Sequence, residues 1–328
     1  MSADSAQPKR IDVHNHVIPE RVLDLLRRDP VYRVNVEPDH ISGGNHIRFY
    51  LDPTFVDPAA KLDDLEKREM RAAVISAAPK PLYYYELPAE PAERLCRETN
   101  LGMAEFCEFA PERYRWMAHV PMQEPELAAR VLEDAADAGS IGVLVGTSIV
   151  DRRPHLPEFE PFWDAAERLG QPVLLHPAYV DPHGVYREYF FESVIGNLLE
   201  TTLTLESLLC AGVLDRHPDL TVIAVHAGGY FPYQLGRLRH CRTNRPELAN
   251  SPADPAEYIG QIKFDTITHD PEALRFLIER AGAENVLVGS DLPFDVAPPE
   301  PMKDLLDVAD EETVRIIAEE NPAKLFRF

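Results

Sequence analysis

Eight short apolar runs recur along the chain, at residues 10–16, 72–78, 114–122, 141–148, 172–178, 220–227, 262–267 and 285–291. Seven are rich in Val, Ile and Leu or nearly continuous in apolar character, the pattern of strands buried on both faces. The run at 114–122 is less regular. Between the runs, apolar positions recur with helical spacing at 59–71, 88–109, 126–138, 158–169, 198–214, 231–241, 271–281 and 311–319. Several of these begin and end on recognisable residues. Asp57-Pro58 supplies an N-cap and a first-turn proline, Glu124-Pro125 opens the third, and Gly139 and Gly170 follow the third and fourth as stops. The stretch 88–109 reads as one long helix or two short ones. Strand–helix alternation repeated eight times predicts an α/β chain folded as a (β/α)8 TIM barrel. A doubly wound open sheet is the rival, but no G-x-G-x-x-G follows the first run.

Two connections exceed what a minimal barrel needs. Residues 20–61 separate the first strand from its helix, with a short helix at 20–28 and alternating segments at 32–36 and 46–51 that read as a hairpin. Such an insertion sits at the C-terminal mouth of a barrel as a lid or pocket wall. The connection 179–197 is rich in Tyr and Phe and begins at Tyr179, a candidate for the pocket lining. The expected organisation is a disordered tail over 1–9 and one domain over 10–328.

The chemistry lies where the runs end. The first carries His14-Asn15-His16, and residues i and i+2 of a strand point to the same side. Later runs end in His176, His226 and Asp291. A lone histidine is most often a satisfied core or surface residue, but four strand ends carrying such groups predict a metal site. His14, His16, His176 and Asp291 are the candidate ligands, for Zn²⁺ first and Mn²⁺ or Fe²⁺ as alternatives. The fourth run ends Val145-Gly146-Thr147-Ser148, without the lysine that binuclear barrels use as a bridge, so one ion is expected. A metal-bound water would then be activated by His226 as general acid or base. Arg48 in the insertion and Arg237 after the sixth run are candidate carboxylate-binding residues. His119 falls inside a run, and His40, His46, His155, His217 and His240 on loops or helices, where packing or surface roles are expected; His183 and His269 lie in mouth-side connections.

Composition narrows the partners. With 45% hydrophobic residues the 328-residue chain has enough apolar area for one large core. A formal net charge of −22 argues against nucleic acid and anionic membranes as partners. No run approaches the ~20 apolar residues of a membrane span, and the polar first nine residues do not resemble a signal peptide. Cys96, Cys107, Cys210 and Cys241 show no CxxC spacing, and the first three read as reduced, mostly buried thiols on helices. A cytoplasmic protein is expected.

The chain resembles the amidohydrolase superfamily, and within it the branch of 2-amino-3-carboxymuconate-6-semialdehyde decarboxylase and related decarboxylases. The resemblance rests on Asp12-Val13-His14-Asn15-His16-Val17-Ile18-Pro19, His176-Pro177, Glu200-Thr201-Thr202, His226-Ala227-Gly228-Gly229-Tyr230-Phe231-Pro232, Gly236-Arg237, Gly289-Ser290-Asp291-Leu292-Pro293-Phe294 and the closing Asn321-Pro322-Ala323-Lys324-Leu325-Phe326. It implies a zinc-type site of His14, His16, His176 and Asp291, with His226 as acid/base. It implies that Arg48 binds a carboxylate and that Phe294 walls the pocket. It further implies a homodimer in which Arg237 reaches the neighbouring subunit's pocket. Ala178 and Ser193 stand where the named decarboxylase carries aromatic residues, which implies a differently shaped pocket.

The expected activity is metal-dependent, non-oxidative decarboxylation of a small unsaturated or aromatic carboxylic acid, with His226 and Asp291 as the catalytic pair. A hydrolase opening a lactone, amide or ring on the same site is the alternative. A barrel keeping the metal only as a structural or binding feature is a third reading.

Overall fold

The computed structural model describes residues 9–43, 47–177, 184, 186, 188–248 and 254–328. Apart from Lys9, the expected N-terminal tail lies outside the described residues, as do Tyr179, His46 and His183.

All eight expected strands form: β1 (Ile11–Val17), β2 (Ala72–Ala77), β3 (Tyr114–Trp116 and Ala118–His119), β4 (Val143–Gly146), β5 (Val173–His176), β6 (Val222–Ala224), β7 (Ile262–Asp265) and β8 (Val286–Leu287). Each pairs in parallel with the next. The chain beyond β8 closes the ring on β1: Val13 N donates to Val288 O at 2.9 Å and His16 N to Leu292 O at 2.8 Å. The molecule is therefore a (β/α)8 barrel. The ladders are shorter than the apolar runs, because the last residues of several runs leave the sheet to build the mouth. His226 and Asp291 are the clearest cases. Both lie beyond their strands with φ of 52° and 61°, a left-handed conformation rare outside glycine.

Ile11, Val13, Ala72, Val74, Met117, Leu144, Leu174, Ile223, Val225 and Leu287 fill the barrel interior, with Phe326 against them. Alternate strand residues such as Ile75, Val143, Leu175 and Phe264 pack outward on the helices. β1 breaks this alternation. Its register against β2 shifts between Asp12 and Asn15. A bulge places two successive residues on one side of a strand, so the interior receives Val13 from below the shift and the pair His14 and His16 from above it. Asp12 and Asn15 are left on the outer side.

The helix expected at 59–71 runs Pro58–Lys67, and the Asp57 carboxylate accepts Ala59 N at 2.9 Å. Residues 88–109 form one helix, Ala89–Glu108. The helix expected at 198–214 instead ends at Cys210 and resumes at Val213–Arg216, because Gly212 between them has φ 70°. The insertion contains the expected helix, Glu20–Arg28, but its sheet has three strands. Val34–Val36 and Ile47–Tyr50 do not pair with each other; both pair antiparallel with His40–Gly43, a short polar segment that the periodicity passed over. His40 therefore opens a strand rather than lying on a loop. All four cysteines are free. Among the described residues, no helix is long and apolar enough to cross a membrane.

Candidate metal centre

Four elements meet at the mouth. β1 supplies His14 and His16, β5 ends on His176, the turn after β6 carries His226, and the turn after β8 carries Asp291. The ring centroids of His14, His16 and His176 lie 4.9–5.3 Å apart. Each of these imidazoles is held through Nδ1. His14 Nδ1 donates to Asp265 Oδ2 at 2.8 Å and His176 Nδ1 to Pro177 O at 2.9 Å, while His16 Nδ1 faces Ala77 O at 3.3 Å and Ser76 Oγ at 3.1 Å. A proton fixed at Nδ1 leaves the Nε2 lone pair available. Those three Nε2 atoms and Asp291 Oδ1 are buried without hydrogen-bond partners and point to a common centre, each within 4.8 Å of the others. Asp291 Oδ1 lies 3.0 Å from His16 Nε2 and 3.3 Å from His14 Nε2, close but not in hydrogen-bonding geometry. Four buried polar atoms that face one another without bonding are unstable unless something shared binds them. Three nitrogens and one carboxylate oxygen in this arrangement fit a divalent cation. β4 ends on Gly146, so no side chain of that strand's last residue enters the site.

Without an ion, the electrostatics leave two of the three imidazoles neutral and hold a proton on the third. Burial pulls the His16 imidazole down to about 3 and His176 to about 4, so both are neutral, as ligands must be. For His14, burial acts in the same direction, but the Asp291 and Asp265 carboxylates outweigh it and lift the imidazole to about 10. Burial opposes ionisation of Asp291 as well, yet the surrounding His14, His16 and His176 hold it well below the usual carboxylate range. Two buried carboxylates thus stand at the centre and hold a proton on His14; a divalent cation would displace that proton and balance both charges.

Asp265, the last residue of β7, went unrecognised in the sequence. Its side chain is fully buried. One oxygen accepts from His14 Nδ1 and from His226 N at 2.9 Å; the other accepts from Ala227 N at 2.8 Å and Ile267 N at 3.1 Å. It therefore fixes the tautomer of a ligand and pins the left-handed turn that presents His226. The available signal was a single carboxylate closing an apolar strand. Asp265→Asn is expected to weaken metal binding by about 10–100-fold, the usual cost of losing a partner behind a ligand. Competition against a chelating dye measures it.

His226 Nε2 lies 3.4 Å from Asp291 Oδ2, the oxygen on the other side of the carboxylate from the histidine cluster. Both residues line a cavity of about 650 Å³ whose walls include Phe190, Val194, Leu198, Tyr230, Tyr233, Ile267 and Phe276, with Asn197, Thr268 and His269 as polar points. Gly289 lets the strands close around the site: a Cβ there would lie 2.8 Å from Asp265 Cβ and 2.9 Å from His14 Cβ.

The other expected site residues divide. Phe294 stacks edge-on against His16 at 5.2 Å and against Phe49 and Phe55 of the insertion at 5.8 and 5.5 Å, so the insertion reaches the metal ligands through it. Arg48 neighbours Phe49 on the strand and faces the opposite way. It is exposed, and its guanidinium lies 5.4 Å from the Tyr50 ring. Arg237 is exposed on the helix Phe231–Arg242. Neither arginine lines the cavity, and Phe294, expected as a pocket wall, does not line it either. His119 is buried, with Nε2 3.1 Å from Leu82 O, a packing role. His217 is tied to Glu160 and Glu167 at 3.2 and 3.0 Å. His269 does line the cavity.

Comparison with known proteins follows the same lines. A 2-amino-3-carboxymuconate-6-semialdehyde decarboxylase from Dictyostelium discoideum is 29% identical over 296 residues, covering 87% of this chain and 82% of that one. The fold is shared with 5-carboxyvanillate decarboxylase LigW from Sphingomonas paucimobilis (TM-score 0.83, 24% identity, 98% and 99% of the two chains). It is shared too with 5-carboxyvanillate decarboxylase LigW2 from Novosphingobium aromaticivorans, solved with bound manganese and 3-methoxy-4-hydroxy-5-nitrobenzoic acid (TM-score 0.80, 18% identity, 100% and 99%). The amidohydrolase family model matches residues 11–328, every element of the barrel and the whole ligand set included, and the chain belongs to that family.

Proposed function

We propose that this chain is a metal-dependent, non-oxidative decarboxylase of a small aromatic or unsaturated carboxylic acid. The observation that carries the reading is the convergence of His14, His16 and His176 Nε2 with Asp291 Oδ1 beside a second, unspent acid/base, His226, at an apolar cavity. Relatives named as decarboxylases support it, and no observation favours hydrolysis over it. A retained structural site needs neither His226 nor the cavity.

The residues present would hold one divalent ion, and this donor set suits Zn²⁺ first, with Mn²⁺ or Fe²⁺ as alternatives. When bound, the ion supplies Lewis-acid polarisation of a substrate oxygen. The apolar wall excludes water and seats a ring; a cavity of this size takes a single-ring acid. Loss of CO₂ breaks the bond between the ring and the carboxylate carbon, and the electron pair stays on the ring carbon. That carbon takes a proton from the Asp291–His226 pair, which is recharged from solvent through His226. The sum is one carboxylate and one proton giving one CO₂ and the protonated product. The test is a panel of single-ring carboxylic acids incubated with the metal-loaded protein. Loss of 44 mass units from a panel member, abolished by chelation and restored by metal, supports the reading. Metal-dependent turnover without that loss overturns it.

We further propose a homodimer. Phe190, Tyr233 and Phe276 are 59%, 77% and 43% exposed and line the cavity, with Tyr233 on the helix that carries Arg237. An exposed aromatic cluster of this kind marks an interaction surface. A second copy docked here brings its Arg237 toward a cavity whose described lining holds no arginine or lysine. Arg237→Ala and Asp291→Asn proteins, each nearly inactive alone, are expected to regain up to about a quarter of wild-type activity when mixed and reassociated, as random pairing of two defects in trans gives. No recovery places Arg237 outside the partner's site. The four free cysteines match a reducing compartment, which supports the cytoplasm.

A further inference from the structure

Lys61 is 2% exposed, on the helix Pro58–Lys67 that closes the insertion, and nothing in the chemistry above uses it. Its Nζ donates to Asn15 Oδ1 at 2.5 Å. Asn15 Nδ2 donates in turn to Asp12 Oδ2 at 2.8 Å. The amide can be oriented only this way, since an ammonium only donates and a carboxylate only accepts. Asp12, with no exposure, also receives Ser290 Oγ at 2.6 Å and His14 N at 3.1 Å. The Ser290 hydroxyl further accepts Leu292 N at 3.1 Å. A charged pair is thus buried on the outer side of β1, bridged by one amide, at the site of the register shift.

The connections of this chain of bonds decide its meaning. Asn15 lies between the two ligands of β1. Ser290 precedes the ligand Asp291, whose N donates to His14 O at 2.8 Å. Three of the four candidate ligands therefore sit on the two segments that Asp12, Asn15 and Ser290 tie together, and Lys61 terminates the tie with the charge that Asp12 needs. A buried lysine is costly, and burial lowers this one to about 8 against the attraction of Asp12.

We infer that Lys61, acting through Asn15 and Asp12, is a positioning residue that holds the bulged β1 ligands His14 and His16 at the correct separation from Asp291. The inference rests on the metal-centre reading above, but not on which reaction the centre performs.

The test uses the purified full chain, stripped of metal and titrated with Co²⁺, reading the dissociation constant by chelator competition and the ligand field from the visible absorption band. Lys61→Met is expected to weaken Co²⁺ binding by about 10–100-fold, as loss of a group behind the ligands does, and to alter the visible band. Lys61→Arg, which keeps a buried donor cation, is expected to recover most of both. Ser290→Ala, which cuts the tie at its other end with a minimal change of volume, is expected to alter the band in the same way, and it keeps the test open if Lys61→Met does not fold. A Lys61→Met protein that melts at a lower temperature but binds Co²⁺ within twofold of wild type, with an unchanged band, overturns the inference and leaves Lys61 a structural residue. So does an unchanged band and affinity in Ser290→Ala when Lys61→Met is unfolded. Wild-type protein that takes up no Co²⁺ removes the metal-centre reading together with the inference, whereas normal Co²⁺ binding without CO₂ release from any acid removes only the proposed reaction.

Discussion

Asparagine in place of Asp291 is expected to reduce turnover by roughly a thousandfold or more, since a positioned acid–base group alone contributes about 10²–10⁴-fold and this carboxylate has a second task. Asp291 Oδ1 faces the three Nε2 atoms, while Oδ2 faces His226. One side chain thus contributes to the ion's grip and to proton delivery. The amide keeps the size of the side chain and one weaker donor oxygen but removes its charge. The other buried carboxylate beside the three imidazoles, Asp265, is already engaged by four donors. Elemental analysis of the purified variant is therefore expected to show less than one ion per chain, and activity is expected to stay low even in excess metal. Full activity at saturating metal would confine Asp291 to metal binding and leave the proton to His226 alone.

His226→Asn is expected to separate the two tasks. His226 Nε2 lies beside Asp291 Oδ2 and its backbone N–H is held by Asp265, but it is not one of the four converging ligands. The variant is expected to keep about one ion per chain and to lose about 10²–10⁴-fold in kcat, the range for a general acid–base group. Asparagine suits this test because it tolerates the left-handed backbone, here φ 52°, better than most residues. Metal content and kcat measured on the same preparation check the split. Loss of metal in parallel with loss of rate would make His226 a ligand and overturn the assignment.

The sequence made the barrel and the ligand set readable for a simple reason. Strands buried on both faces are written as apolar runs, and in a barrel the chemistry is placed where those runs stop. The His-x-His spacing carried the further point that two rings share one side of β1. What it did not carry was the phase. Regular alternation starting from Ile11 and Val13 would send His14 outward; only the register shift after Asp12 turns it inward, and a bulge leaves no mark in hydrophobicity. The same shift explains why Lys61 was passed over. On a helical wheel it is a solvated cation, and its burial depends on Asp12 and Asn15 facing outward together. Asp265 was missed because one carboxylate after Phe264 has the look of a strand end, and its four donors come from β1 and the turns after β6 and β7. The third strand of the insertion, His40–Gly43, is too short and polar to alternate visibly. The split of the helix at Gly212 was legible in retrospect, since glycine is the residue that adopts φ 70° without strain.

The central claim is that this metal centre removes CO₂ rather than adding water. The most direct measurement is incubation of the metal-loaded chain in H₂¹⁸O with an aromatic acid labelled with ¹³C in its carboxylate, followed by mass spectrometry of both gas and product. The account predicts one ¹³CO₂ released per molecule consumed and a product one carbon smaller with no ¹⁸O incorporated. A product that keeps the ¹³C and gains one ¹⁸O would contradict it and assign the site to hydrolysis.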